Sequence, residues 1–158
     1  MGYYSTAQVC LAGHHSTSDI TNTKRMENFC SQCGQKTITQ CPSCNADIRG
    51  YYHTPGCFSL RKYVAPAFCY NCGKPFPWTQ SRLDFAKELI AEMDELTSDE
   101  QEKFNNSLPN ILSETPQTPL AATRINKYLA KIAPVSKEGI KQLFFDITIE
   151  AAKKIIWS

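Results

Sequence analysis

Four short pairs of metal-ligand residues in the first half of the chain restrict its fold more than any other feature: Cys10-Leu-Ala-Gly-His14, Cys30-Ser-Gln-Cys33, Cys41-Pro-Ser-Cys44 and Cys69-Tyr-Asn-Cys72. Two donors so closely spaced can face one ion, and a second pair brought up by folding completes a tetrahedron. Four pairs therefore predict two closed shells around two structural Zn²⁺. Glycine follows the second cysteine in Cys33-Gly34 and Cys72-Gly73, where a knuckle turn needs a residue that tolerates positive φ. Sequential pairing would join Cys10, His14, Cys30 and Cys33 in one site and Cys41, Cys44, Cys69 and Cys72 in the other. A cross-brace would join alternate pairs, but it normally leaves only a few residues between its second and third pairs, and residues 34–40 supply seven. Sequential pairing is the simpler reading. His14 is preferred to His15 because Gly13 tightens the turn that precedes it.

Eight cysteines could also mean disulfides in a secreted protein. The start, Met-Gly-Tyr-Tyr-Ser-Thr-Ala-Gln-Val, has neither a basic nor an apolar targeting segment, which predicts reduced thiols and a cytoplasmic setting. No apolar run approaches the roughly 20 residues that span a bilayer, so no membrane association is expected. With 158 residues, 42% of them hydrophobic and 20% charged, the composition is that of one ordinary globular domain or two small ones.

Net charge divides unevenly. Residues 1–78 hold seven Lys/Arg against three Asp/Glu. A shell of three thiolates and an imidazole around Zn²⁺ carries a net −1 and a shell of four thiolates −2, which lowers the formal +4 of this half to about +1. Nucleic-acid binding needs concentrated cations, so only weak binding is expected here. Residues 79–102 hold two basic and eight acidic residues, and residues 103–158 eight basic and four acidic, so the second half is electrically polarised.

In chain order, residues 3–9 read as a strand entering the first knuckle, and the polar stretch 15–28 as an exposed loop. Residues 48–64 read as two strand-like runs flanking a Pro55-Gly56 turn. Arg49, Tyr51, Tyr52, His53, Arg61, Lys62 and Tyr63 form a candidate surface for a partner or for nucleic acid, because aromatics among cations can stack on bases and hold phosphates. A third complete shell using His53 and Cys57 would need 12 donors, and eight cysteines with three histidines give 11.

The serial knuckles with Cys-x-x-Cys-Gly and Cys-Pro-x-Cys resemble a double zinc ribbon. The start through Cys10-Leu11 with Gly13-His14, then Cys-Gly-x-Lys-Thr-Ile-Thr, Cys-Pro-x-Cys, Ile48-Arg49-Gly50 and Phe68-Cys69 through Trp78-Thr79, is similar to a bacterial zinc-ribbon family of unknown function. The resemblance covers the first 80 or so residues well and the remainder loosely. It implies a bacterial, cytosolic, zinc-binding protein and carries no activity. Cys57 departs from that pattern.

From Trp78 the periodicity becomes helical. Trp78 reads as a staple onto Leu83, with Thr79 as N-cap, and Leu83, Ala86, Leu89, Ile90, Met93 and Leu96 form one apolar face. Thr97 and Glu100 read as a capping box for a short second helix ending near Leu108-Pro109. Thr118-Pro119 opens a third helix lined by Leu120, Ile125, Tyr128, Leu129 and Ile132. A last helix over 137–157 presents two stripes, one through Ile140, Phe144, Ile147 and Ile155 and one through Phe145, Ile149, Ala152 and Ile156, and Phe145, Ile149 and Ile156 are its candidate interface for a second copy or a partner.

The fold class expected is α+β: an N-terminal tandem (double) zinc ribbon of short β-hairpins (1–78) followed by a small C-terminal α-helical bundle (79–158). The sequence has no His-Glu-x-x-His, phosphate-cradling glycine loop or nucleophile elbow. A non-catalytic interaction module, an adaptor or regulator docking protein partners, is therefore the leading reading. A nucleic-acid-binding ribbon using residues 49–63 is the alternative.

Overall fold

The computed structural model describes residues 1–58, 60–145 and 147–158. It is an α+β protein, with short antiparallel strands first and helices after. The chain divides into two compact units, Met1–Ser81 and Arg82–Ser158.

The first unit carries β1 (Tyr3–Thr6), β2 (Gln8–Cys10), β3 (His15–Thr17), β4 (Thr37–Ile38) and β5 (Arg49–His53). The single strand expected over 3–9 is broken at Ala7, which is fully buried and donates its N–H to the Ile48 carbonyl at 2.8 Å. The two pieces join different sheets: β1 pairs antiparallel with β5, and β2 lies between β3 and β4. A register shift between Tyr4 and Thr6 bends β1. Within β5, Gly50 is required by close approach, because a Cβ there would lie 1.8 Å from the Ser18 carbonyl oxygen.

Two further expectations are revised in this unit. Residues 15–28 are an exposed loop only in part: residues 21–26 are exposed, with a 3-10 turn over Thr23–Arg25, but His15–Thr17 form β3 and the Ile20 N–H donates to the Thr6 carbonyl at 2.8 Å. Residues 48–64 are not a hairpin. The Pro55-Gly56 turn is present, with the Cys57 N–H donating to the Thr54 carbonyl at 3.1 Å and Gly56 at φ 77°. However, the described residues that follow form no strand, because β5 takes β1 as its partner. Phenols stand in for ladder bonds: Tyr51 donates to the Arg61 carbonyl and Tyr63 to the Arg49 carbonyl, each at 2.7 Å.

The core of the unit is small. Ala7, Val9, Ile48, Tyr63, Phe76 and Trp78 pack with the ligand-type residues Cys41 and Cys69. Trp78 stacks on Phe76 (centroids 4.6 Å apart) and donates its indole N–H to the Pro66 carbonyl at 2.9 Å, so it belongs to this core. So small a core needs additional cross-links to stay folded.

Helix α1 (Pro77–Ala91) starts with proline, whose missing N–H is no loss in a first turn, so the buried Thr79 lies inside the helix and is not its N-cap. Leu83, Ala86 and Ile90 are buried as their spacing predicts, but Met93 and Leu96 follow the helix end. Helix α2 (Ser98–Ile111) has the expected capping box: Thr97 Oγ1 accepts from the Glu100 N–H, and the Glu100 carboxylate accepts from the Thr97 N–H at 3.0 Å. It runs past Pro109, which in a last turn removes only one helical hydrogen bond. Helix α3 (Thr118–Leu129) buries Ala121, Ala122, Ile125, Tyr128 and Leu129, while Leu120 is exposed. It packs against α2 and against α5.

Among the described residues, the single last helix of the sequence reading is two helices, α4 (Pro134–Phe144) and α5 (Glu150–Ile156), and the second half holds five helices rather than about four. Phe145, Ile147, Thr148 and Ile149 are aromatic or β-branched and are weak helix formers. The Thr148 hydroxyl donates to the Phe144 carbonyl at 2.7 Å, and the Ile149 N–H leaves the helix to bond the Ile111 carbonyl at 3.1 Å. The pattern suited a helix, but a contact to α2 takes the backbone donor that a continuous helix would have used.

Candidate metal centres and an aromatic groove

All three Cys-x-x-Cys knuckles close in the same way. The first cysteine donates its N–H to the carbonyl of Gln35, Ala46 or Lys74 (2.8, 2.8 and 2.9 Å), and its own carbonyl accepts from the N–H of Gly34, Asn45 or Gly73 (2.8, 2.9 and 2.9 Å). Those last three residues have φ of 74°, 61° and 72°. Asn45 is thus the counterpart of the two glycines; its side chain makes asparagine the commonest non-glycine choice in this backbone region. The glycine signal named only two of the three, although Cys-Pro-Ser-Cys-Asn aligns with Cys-Ser-Gln-Cys-Gly. The first pair closes one residue sooner, with the Cys10 N–H on the His14 carbonyl at 2.8 Å and Gly13 at φ 97°.

These turns aim the donors inward. Cys10, His14, Cys30 and Cys33 form one cluster and Cys41, Cys44, Cys69 and Cys72 another, with the ligand atoms of each within 4.8 Å of one another. The pairing is sequential. His14 supplies Nδ1, 3.6 Å from Cys10 Sγ and 3.7 Å from Cys30 Sγ, whereas His15 packs edge-on against Tyr63. Sulfur separations are 3.7 Å for Cys10–Cys33, 3.8 Å for Cys41–Cys72 and 3.6 Å for Cys44–Cys69. A disulfide would need about 2.0 Å. Bonds of about 2.3 Å to sulfur and about 2.0 Å to nitrogen in a tetrahedron place ligand atoms about 3.8 Å (S to S) and about 3.5 Å (S to N) apart, so both clusters fit an ion of that kind.

The electrostatics also fit a cation. Backbone N–H groups of His14, Gln32 and Asn71 point at the sulfurs of Cys10, Cys30 and Cys69 (3.3, 3.4 and 3.4 Å) and favour the thiolate. Four thiols this close cannot all ionise unaided. The Asn71 side chain, then the Ala46 N–H, lowers the Cys44 thiol to about 6. At Cys72 the Lys74 N–H pulls downward, but desolvation and the hydrogen bonds shared with Cys41, Cys44 and Cys69 prevail and push it up to about 11. A bound divalent cation removes that conflict, because every thiolate then faces positive charge.

The candidate surface at 49–63 is partly regrouped. A groove of about 550 Å³ is lined by Arg49, Tyr51, Tyr52, Arg61, Lys62 and Tyr63, with walls completed by Tyr4, Phe68, Tyr70 and Phe76. Tyr63 is a buried member of the core, and burial, with Tyr51 beside it, pushes its phenol well above the usual range. His53 is not in the groove: it stacks on Tyr3 at 5.0 Å, and its Nε2 lies 3.8 Å from the Asp19 carboxylate. Tyr4 and Tyr70 were not marked by the sequence, since both lie outside residues 49–63, Tyr4 on β1 and Tyr70 inside the last knuckle. Cys57 is exposed and in neither cluster.

Phe145, Ile149 and Ile156 do not share one open stripe. Phe145 is exposed, edge-on to Trp157 and capped by the Lys153 ammonium; Ile149 is the N-cap residue of α5; Ile156 is buried. No helix among the described residues is long and apolar enough to cross a membrane.

Comparison with curated proteins and with solved structures gives no match. A family described as an uncharacterized protein conserved in bacteria (DUF2321) matches residues 3–156. The match extends through the helices, beyond the 80 or so residues that carry the resemblance in the sequence. The chain, with two four-donor clusters that fit tandem zinc ribbons followed, among the described residues, by five helices, therefore belongs to this bacterial family of uncharacterized proteins.

Proposed function

We propose that the chain is a zinc-scaffolded, non-catalytic interaction module, an adaptor or regulator of the bacterial cytoplasm, in which two structural Zn²⁺ hold the ribbon unit together. One observation carries this reading: each cluster draws four donors from the chain itself at tetrahedral spacing. A catalytic zinc keeps three protein ligands and an open position for water. Here the geometry leaves no such position, and the second cluster shares Cys41 and Cys69 with the hydrophobic core. Thiolate-rich donor sets favour zinc over the hard cations.

Metal analysis of the reduced protein tests the proposal. Two zinc ions per chain are expected, one with three sulfurs and one nitrogen and one with four sulfurs by X-ray absorption. A stoichiometry near one or three, or an oxygen ligand that exchanges with solvent, would overturn it.

A further inference from the structure

We propose that the groove beside β5 binds single-stranded nucleic acid, with bases stacking on exposed tyrosines and phosphates held by Arg49, Arg61 and Lys62. The proposal rests on the metal reading in that the second cluster holds Tyr70, between Cys69 and Cys72, and the core that carries the groove residues Tyr63 and Phe76.

The groove has the volume of a typical ligand site. Three of the seven basic residues of the first 78 line it, and among its described lining residues none is acidic. The ribbon half is nearly neutral once thiolates and zinc are counted, so cations gathered here make a local positive field that net charge conceals. Tyr4, Tyr52 and Tyr70 are each about half exposed, at 48%, 54% and 54%. They form an ordered row: Tyr4 meets Tyr52 edge-on at 4.9 Å, and the Arg49 guanidinium lies 4.3 Å from the Tyr4 ring and 3.8 Å from the Tyr70 ring. A guanidinium packed against two rings is held in a narrow range of orientations, and its N–H groups are the donors that suit a phosphate oxygen.

Charge and shape together select the occupant. An acidic peptide would satisfy the cations but make no use of the tyrosine faces, and a sulfated polysaccharide, whose puckered rings offer C–H groups rather than a flat π-face, would use them less fully than a base. Duplex nucleic acid keeps its bases inside the stack. A single strand offers phosphates at regular spacing and unpaired bases that stack on any aromatic face, which makes binding tolerant of sequence.

The test is fluorescence anisotropy with the full, two-zinc protein and short labelled oligothymidylate and oligouridylate, with the matching duplex, heparin and an oligoglutamate peptide as competitors. Binding in the micromolar range is expected, with log affinity falling against log salt at a slope of about −2, from three phosphate contacts at roughly −0.7 each. Tyr52→Ala and Tyr70→Ala should each weaken binding roughly tenfold, and Arg49→Gln should also flatten the slope by about 0.7. Tyr52 lies well away from both clusters in sequence, so its variant keeps the test valid if Tyr70→Ala loses metal. Any of three results overturns the proposal: no binding at low salt by protein carrying two zinc ions, equal affinity for duplex, heparin or oligoglutamate, or unchanged binding by Tyr52→Ala. A shortfall of metal with oligonucleotide binding retained would overturn the metal reading alone.

Discussion

Replacing each of three glycines by alanine separates two physical reasons for glycine in the ribbon unit. At Gly34 and Gly73 the backbone has φ of 74° and 72°, and an added Cβ would meet nothing within 4 Å. The cost there is left-handed backbone strain alone, about 1–2 kcal/mol, offset in part by the stiffer unfolded chain, which leaves a net loss of about 1 kcal/mol. Gly50 is different. Its Cβ would lie 1.8 Å from the Ser18 carbonyl oxygen and 2.5 Å from Ser5 Oγ, and the first of these is backbone that cannot swing aside. Strand β5 would have to move by more than 1 Å to restore ordinary contact, breaking the 2.7 Å hydrogen bond from Ser5 to Ser18 and disturbing the Tyr4–Tyr52 and Thr6–Arg49 registers. Overpacking of that size costs about 3 kcal/mol. For a unit of this size, thermal melting of the zinc-loaded protein should fall by roughly 4–8 °C per kcal/mol, so a difference of about 2 kcal/mol should make Gly50→Ala melt roughly 8–16 °C below Gly34→Ala. If Gly50→Ala melted no lower than Gly34→Ala and Gly73→Ala, the close approach of β5 to Ser18 would be wrong.

Asn45→Gly should raise the melting temperature slightly and Asn45→Val lower it by the equivalent of about 2 kcal/mol, because the position has φ of 61°. Cys41→Ser should remove amide-exchange protection at Ala7 and Ile48, whose N–H groups bond Ile48 and Thr39, and leave the helical circular dichroism in place; Cys33→Ser, in the other cluster, should leave that protection largely intact. Thr97→Ala removes one half of the α2 capping box and should cost about 1 kcal/mol, read as earlier loss of helix on heating. The Glu100 carboxyl is held below its ordinary value by the Lys131 ammonium and the Thr97 N–H, so its contribution is present above the unfolded carboxylate range and is lost as pH falls through the lowered value; Lys131→Met should flatten that acid limb in a pH series of melts.

Features encoded within a few residues were legible in the sequence. The ligand pairs, the Thr97–Glu100 capping box and the buried stripe of Leu83, Ala86 and Ile90 each depend on local spacing, and the structure has all three. What could not be read depends on contacts distant in the chain. Residues 48–64 looked like a hairpin because each run alone suits a strand, yet β5 pairs with β1, more than 40 residues earlier. Residues 137–157 kept a helical period through the break because Ile140, Phe144, Ile147, Ala152 and Ile156 are all buried whether the helix is one or two. What decides the matter is the Ile111 carbonyl, which no periodicity within 137–157 reveals. At the groove the same limit applies: Arg49 and Tyr52 were visible as candidates, but Tyr4 and Tyr70 flank Arg49 only after β1 has paired and the last knuckle has closed.

The metal and the groove are joined through shared residues. Tyr63 and Phe76 line the groove and also pack in the core that holds Cys41 and Cys69. Arg49 and Lys62 hold charge at that wall, while Tyr63, with its phenol donating to the Arg49 carbonyl, fixes the backbone from which Arg49 extends. A ribbon this small has too little apolar surface to hold such a wall by burial alone, so an ion bound at the second cluster would order the wall. The first cluster has no member in that core, although its Cys10 ends the strand β2 that contributes Val9 to it. The two sites therefore differ in what they support. The four-sulfur cluster holds the core and one wall of the groove, and the Cys10–His14–Cys30–Cys33 cluster fixes the β3-β2-β4 sheet, in which Cys10 pairs with Thr37.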